Sequence, residues 1–251
     1  MHTSLLQSRL NTAIIDDVHA ALLEDVGAGD LTAQLVPADA VAQATVISRE
    51  VAIVCGQAWF NETFKQVAPT ATLEWHVNDG EQMAENQTIV TIVGNARELL
   101  TAERTALNFL QLLSGTATTT RRYADAIAHT PTKMVDSRKT IPGLRVAQKY
   151  AVTVGGGINH RFALYDGILI KENHIATAGG VTAVLAQAET IKNAATEKNP
   201  YAANAFVMIE VERLDQLHEA LNAGATMILL DNMSHDMIRE AVAMNMTFNN
   251  G

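Results

Sequence analysis

From residue 131 onward the chain alternates short apolar, β-branched runs with amphipathic ones, and this pattern constrains the fold more than any other feature. The strand candidates are KMVDSRK (133–139), YDGILIKENH (165–174), FVMIEVE (206–212) and TMILLDN (226–232). Helical periodicity follows the last three, at 179–194, 213–223 and 235–244. Repeated strand–helix units demand parallel strands, hence an α/β barrel or an open parallel sheet. Each strand candidate begins apolar and ends polar: DSRK, KENH, EVE and DN. Active sites of such folds lie at the C-terminal ends of the strands, so the four endings are expected to converge on one mouth. A full barrel of eight units takes about 250 residues, and about 120 follow residue 131 here. The expectation is therefore a barrel with fewer than eight strands, truncated at its C-terminal end, because the sequence stops after a helix where another strand is due.

The first hundred residues follow a different pattern. Leu6, Leu10, Ile14, Val18 and Leu22 recur at helical spacing, which predicts an amphipathic helix. ATVISREVAIVCG (44–56) and TIVTIVG (88–94) are β-branched and bounded by turn residues, as strands are. Residues 99–128 predict one or two helices, with Gly115 as a break. The reading is an α/β chain of two domains: an N-terminal α/β sandwich over 1–115 and an α/β barrel over 116–251.

Charge is unevenly spread. The net charge is −9, which argues against nucleic acid as a partner. Yet Arg104–Lys171 holds ten Lys/Arg and three Asp/Glu, against eight and twenty-four elsewhere. A basic segment in an acidic protein marks either a focused anion site or a solvated helix face. No apolar run reaches the roughly 20 residues of a membrane helix, and no basic, then apolar, leader opens the chain. Cys55 is the single cysteine; it permits no intramolecular disulfide and no cysteine-rich metal site, and the expected setting is the reduced cytoplasm.

Residues 136–174 are the richest in chemistry. Arg138, Arg161 and Lys171 are suited to grip a planar carboxylate or a phosphate, arginine through its fork and lysine as a point charge. Gly155, Gly156 and Gly157 allow a close backbone approach or form a flexible turn, and do not match the GxxxxGK[ST] phosphate loop. Glu210 and Asp231 close the next two strands. They point to Mg²⁺ bound together with a substrate phosphate, to stabilisation of a ribosyl cation, or to salt bridges with a nearby lysine.

ERTALNFLQLLSGTAT (103–118), DSRKTIPGLR (136–145), GGGINHR (155–161), LIKENHI (169–175), IEV (209–211) and LLDNM (229–233), with EDVGAGDLT (24–32) before them, resemble the motif series of quinolinate phosphoribosyltransferases, in order and spacing. The resemblance covers nearly the whole chain. It implies a sandwich domain, a barrel with a reduced strand number, and a homodimer with shared sites. It also implies a reaction: quinolinate and phosphoribosyl pyrophosphate give nicotinate mononucleotide, pyrophosphate and CO₂, with Mg²⁺ required. Transferred motif by motif, it assigns Arg138, Arg161 and His160 to the quinolinate carboxylates, with Ser137 beside them. Arg104 would reach the partner subunit's site. Lys139 and Lys171 would neutralise phosphate and pyrophosphate, and Glu210 and Asp231 would face the metal and the ribose. The family continues with glycine-containing loops for the 5′-phosphate, which do not occur before Gly251.

Other readings compete. Within the neighbouring phosphoribosyltransferases, Arg138, His160 and Arg161 favour a dicarboxylate over nicotinate or the substrate of the molybdenum-transport-associated paralogue. A Schiff-base aldolase would use Lys171 as nucleophile. A biotin or lipoyl carrier would match the hairpin pattern of residues 76–94, but no lysine lies between Lys65 and Lys133. His76, His129 and His218 lack metal spacing, His174 stands near the expected mouth, and Met233, Met237, Met244 and Met246 are read as helix packing.

Overall fold

The computed structural model describes residues 3–195, 199, 201–202 and 205–249. The chain forms two compact units, residues 1–162 and 163–251.

The first unit opens with α1 (Thr3–Asp25) and contains β1 (Val41–Ile47), β2 (Ala52–Ile53), α2 (Gln57–Val67), β3 (Thr72–Trp75), β4 (Gln82–Met83), β5 (Thr88–Asn95), α3 (Ala96–Ala126) and α4 (Arg145–Val154). The five residues predicted as the apolar stripe of α1 do face inward: Leu6, Ile14 and Val18 are buried, and Leu10 and Leu22 pack partly buried against the same core. β5 is central in an antiparallel sheet of order β1-β5-β3. Its Ile89, Val90 and Ile92 meet Phe60, Phe64 and Leu110 in one core. A second core joins the helices through Val18, Trp59, Phe109, Leu113, Ala117, Ala147 and Ala151.

Two expectations fail here. Gly115 does not break a helix, because α3 runs unbroken over 31 residues. Its N-terminus is capped by the Asn95 side chain, which accepts from the Arg97 and Glu98 amides. Leu113 and Ala117 on either side of Gly115 are fully buried, and such packing outweighs the ~1 kcal/mol that glycine costs a helix. The strand predicted over 133–139 shrinks to one parallel bridge, Val135 with Ile158. Its partner segment is glycine-rich, with Gly156 at φ +91°, so no extended run is present for Asp136–Lys139 to pair with.

The triple glycine serves close packing on α3. A Cβ on Gly155 would lie 2.5 Å from the Ala117 carbonyl oxygen, and one on Gly157 would lie 2.9 Å from the Thr120 methyl. Arg121 of α3 then donates to the carbonyls of Gly155 and Val154 at the end of α4.

The second unit is built from β6 (Gly167–Ile170), α5 (Glu172–Ala178), α6 (Val181–Ala195), β7 (Phe206–Val211), α7 (Leu214–Asn222), β8 (Ile228–Leu230) and α8 (His235–Asn249). Its strands form a parallel sheet of order β6-β7-β8. Ile170, Ile209, Val211, Val184, Leu217 and Ala241 make its core, with Met233 and Met244 packed at the edge. The α/β alternation read from the sequence is therefore present. Among the described residues no helix is long and apolar enough to cross a membrane.

Candidate active site

In the first unit the chemistry gathers where residues 135–141 run beside residues 158–162. Asp136 is the hub. Its Oδ1 accepts from Lys149 Nζ at 2.6 Å and from the His160 amide at 2.8 Å, and its Oδ2 accepts from Asn159 Nδ2 at 2.7 Å. Lys149 Nζ also donates to the His160 carbonyl at 3.2 Å, and Asn159 Nδ2 to the Lys149 carbonyl at 3.0 Å. The Lys149 ammonium lies 5.0 Å from the Phe162 ring centre. The pair is shut away from water, with 1% of the Lys149 side chain and 7% of that of Asp136 exposed.

Five of the residues assigned from the sequence flank this hub in the chain. Ser137 and Lys139 are exposed, and the Ser137 hydroxyl accepts from the Lys139 amide at 3.1 Å. Arg138, His160 and Arg161 are half-buried. Among the described residues the Arg138 Nε is buried without a hydrogen-bond partner. Arg104 projects from α3 and is exposed.

α4 supplies the fastenings. Besides Lys149, its Gln148 accepts from the Ile141 amide at 2.7 Å. Its Arg145 donates to Thr140 Oγ1 and to the Phe162 carbonyl. α4 is anchored in turn by Tyr150, whose hydroxyl donates to Asp79 at 2.8 Å. Asp79 also accepts from the Gly56 and Gln57 amides at the start of α2. Burial pushes the Asp79 carboxyl above its usual range, and these hydrogen bonds oppose it.

In the second unit three adjacent strands end side by side. Lys171 follows β6, Glu210 lies near the end of β7, and Asp231 follows β8, with Ile170 paired to Ile209 and Glu210 to Leu229. Lys171 Nζ lies 2.8 and 2.9 Å from the two Glu210 oxygens. The Lys171 side chain is 47% exposed and that of Glu210 10%. The hydrogen bond to Glu210, foremost, holds the Lys171 ammonium above its ordinary value, and Glu172 and Asp231 add to the effect. A lysine held protonated is the opposite of what a Schiff-base nucleophile needs. Asp231 accepts from Asn232 Nδ2 at 3.1 Å through Oδ2. His174 caps α5: its Nδ1 accepts from the Lys171 amide at 3.0 Å, so the ring proton belongs on Nε2 when the ring is neutral.

Three predicted strand endings thus share one edge of the second unit, while Ser137, Arg138 and Lys139 belong to the first. Sequence reasoning missed Asp136, Lys149 and Asn159. A signal was available, since Asp136 is one of three acids in the basic segment. Two of the other histidines have local roles. His76 Nε2 pairs with Thr91 Oγ1 at 2.9 Å, and His218 meets Asn222. Among the described residues no three His, Cys, Asp or Glu side chains cluster as a metal site. The turn between β4 and β5, where a carrier would place its lysine, holds Glu85 and Asn86.

The family models for the N-terminal and C-terminal domains of quinolinate phosphoribosyl transferase match residues 30–114 and 116–250. The chain belongs to the quinolinate phosphoribosyltransferase family. A probable nicotinate-nucleotide pyrophosphorylase (carboxylating) of Bacillus subtilis is 40% identical over 219 residues, 86% of this chain and 72% of that protein. The quinolinate phosphoribosyltransferase (decarboxylating) 1b of Nicotiana tabacum is 38% identical over 224 residues, 86% of this chain and 62% of that protein. The solved nicotinate-nucleotide pyrophosphorylase of Francisella tularensis superposes with a TM-score of 0.87 at 42% identity, covering 94% of this chain and 81% of that one. The family's two-part organisation, a sheet domain followed by an α/β domain, is the organisation found here.

Proposed function

We propose that this chain transfers the phosphoribosyl group of phosphoribosyl pyrophosphate to quinolinate, with loss of CO₂, as a pentosyltransferase of NAD biosynthesis. The observation that carries this reading is the buried Nε of Arg138, which has no partner among the described residues. A buried donor without an acceptor is costly and rare, and a planar carboxylate is the acceptor that an arginine fork matches best. In this reading Arg138, Arg161 and His160 hold the two carboxylates of quinolinate, with Ser137 beside them. Arg104 serves the site of a second copy in a homodimer.

Each remaining residue has a task set by charge. The pyridine nitrogen attacks the anomeric carbon as pyrophosphate departs, so positive charge grows on the ribose and negative charge on the leaving group. Lys139 and Lys171 neutralise phosphate and pyrophosphate. Glu210 and Asp231 face the ribosyl cation, and fixed charges of this kind lower the barrier because they need no reorganisation. The ribosylated ring is cationic and accepts the electrons left when the adjacent carboxylate leaves as CO₂.

Magnesium fits this donor set as an ion shared with substrate. Asp231 has one oxygen engaged with Asn232 and offers the other, while Glu210 shares its oxygens with Lys171. One or two carboxylates plus substrate phosphates is the usual way Mg²⁺ is held. When bound, it would supply charge neutralisation at the pyrophosphate.

The proposal includes a barrel of fewer than eight strands, a division of sandwich and barrel near residue 115, and a cytoplasmic setting. The test is calorimetric titration of quinolinate into the wild type, Arg138→Ala and Arg161→Ala. Charge-assisted hydrogen bonds are worth about 1.5–3 kcal/mol each, so each variant should bind at least about tenfold more weakly. Unchanged affinity in both would remove the arginines from the site.

A further inference from the structure

The buried Lys149–Asp136 pair has no place in the chemistry above, and stability alone does not account for it. Removing two charges from water costs as much as their attraction returns, and apolar replacements of such pairs are often neutral or stabilising. Both Asp136 oxygens are engaged, while among the described residues Asn159 Oδ1 has no hydrogen-bond partner; what a carboxylate held on both oxygens does supply is a single conformation.

The geometry shows what is being held. The segment carrying Ser137, Arg138 and Lys139 has one bridge to its neighbour, through the Asp136 and Ile158 amides. Beyond that bridge its ladder ends. The segment carrying His160 and Arg161 follows a glycine turn. Strand pairing therefore fixes neither segment. Asp136 joins them: it begins the first segment and accepts the His160 amide of the second. Lys149 completes the join, bonding the Asp136 carboxylate and the His160 carbonyl at once. Asn159 closes the other side of the carboxylate. Arg138 is two residues beyond one end of this clamp, and His160 and Arg161 are at the other.

We propose that Lys149 is a positioning residue for quinolinate: with Asp136 it sets the spacing between Arg138 on one segment and His160–Arg161 on the other. This rests on the assignment of those residues to quinolinate. An arginine fork displaced by about 1 Å can cost about a hundredfold in rate, so a clamp at the base of both segments controls how well a rigid dicarboxylate is met.

The test is steady-state kinetics and thermal melting of the full chain as wild type, Lys149→Met and the double variant Lys149→Met/Asp136→Asn. The single variant strands a buried carboxylate and is expected to melt early. The double variant removes both charges and keeps an oxygen for the His160 amide. Its melting temperature should stay near that of the wild type. Its KM for quinolinate should rise about tenfold or more, while its KM for phosphoribosyl pyrophosphate stays within about twofold, the factor expected if only one substrate's grip has moved. A double variant with both KM values unchanged overturns the proposal. So does one that fails to fold, or that loses kcat alone, because the pair then serves the fold and not the spacing. Arg138→Ala run beside them separates the two levels. If it too leaves the quinolinate KM unchanged, the site assignment has failed and the clamp falls with it. If it raises that KM and the double variant does not, the clamp alone has failed.

Discussion

Each unit of this protein holds a lysine–carboxylate pair, and the two pairs are built for different ends. In the first unit Lys149 and Asp136 are sealed, with every carboxylate oxygen engaged by the protein. In the second, Lys171 is half in water and Glu210 lies under it at the sheet edge. The same ion pair is a fastening where water is excluded and an exchangeable contact where water can enter. Burial, not residue type, separates the two roles.

Breaking the sealed pair should have the larger effect. Asp136→Ala leaves Lys149 charged and buried without its carboxylate and frees the His160 amide and Asn159. Loss of one partner of a buried pair costs about 3–5 kcal/mol, so urea denaturation should show a loss of that size in the first unit. A loss under about 1 kcal/mol, the range of exposed pairs, would erase the distinction.

Glu210→Gln should reverse the balance between stability and activity. Lys171 can turn to water, so the stability change should stay below about 1 kcal/mol. Nicotinate mononucleotide formation should fall by about a hundredfold or more, as when one preorganised group is removed from a charged transition state. A variant that is destabilised as strongly as Asp136→Ala while turning over normally would mean the open pair is a fastening as well.

The smallest effect is set by pH. The folded Lys171 lies above its ordinary value of 10.5 because of Glu210. The stabilisation is therefore complete below pH 10.5 and is lost as pH rises through the raised folded value. Thermal melts across that alkaline range should show a small extra decline in the wild type that Lys171→Met lacks. Identical declines would mean that the Glu210 contact adds nothing to the fold.

The sequence determined the elements whose signals are local. The apolar stripe of α1 and the strand–helix alternation after residue 165 depend on periodicity, which any window of residues contains. The polar ends of β6, β7 and β8 were legible for the same reason, since parallel strands in adjacent register must end together. The motif series then gave the family and its chemistry. Tertiary structure decided the rest. Gly115 reads as a helix break until Leu113 and Ala117 are seen buried around it. The triple glycine reads as a flexible or ligand-approaching loop until Ala117 and Thr120 of α3 are found where its side chains would be. KMVDSRK has the composition of a strand, but a strand needs a partner with free backbone groups, and a glycine turn offers only Ile158. Asp136 and Lys149 are thirteen residues apart with no periodic relation. Their pairing, and with it the join between the two segments, comes from α4 folding back onto the chain, which no local pattern encodes.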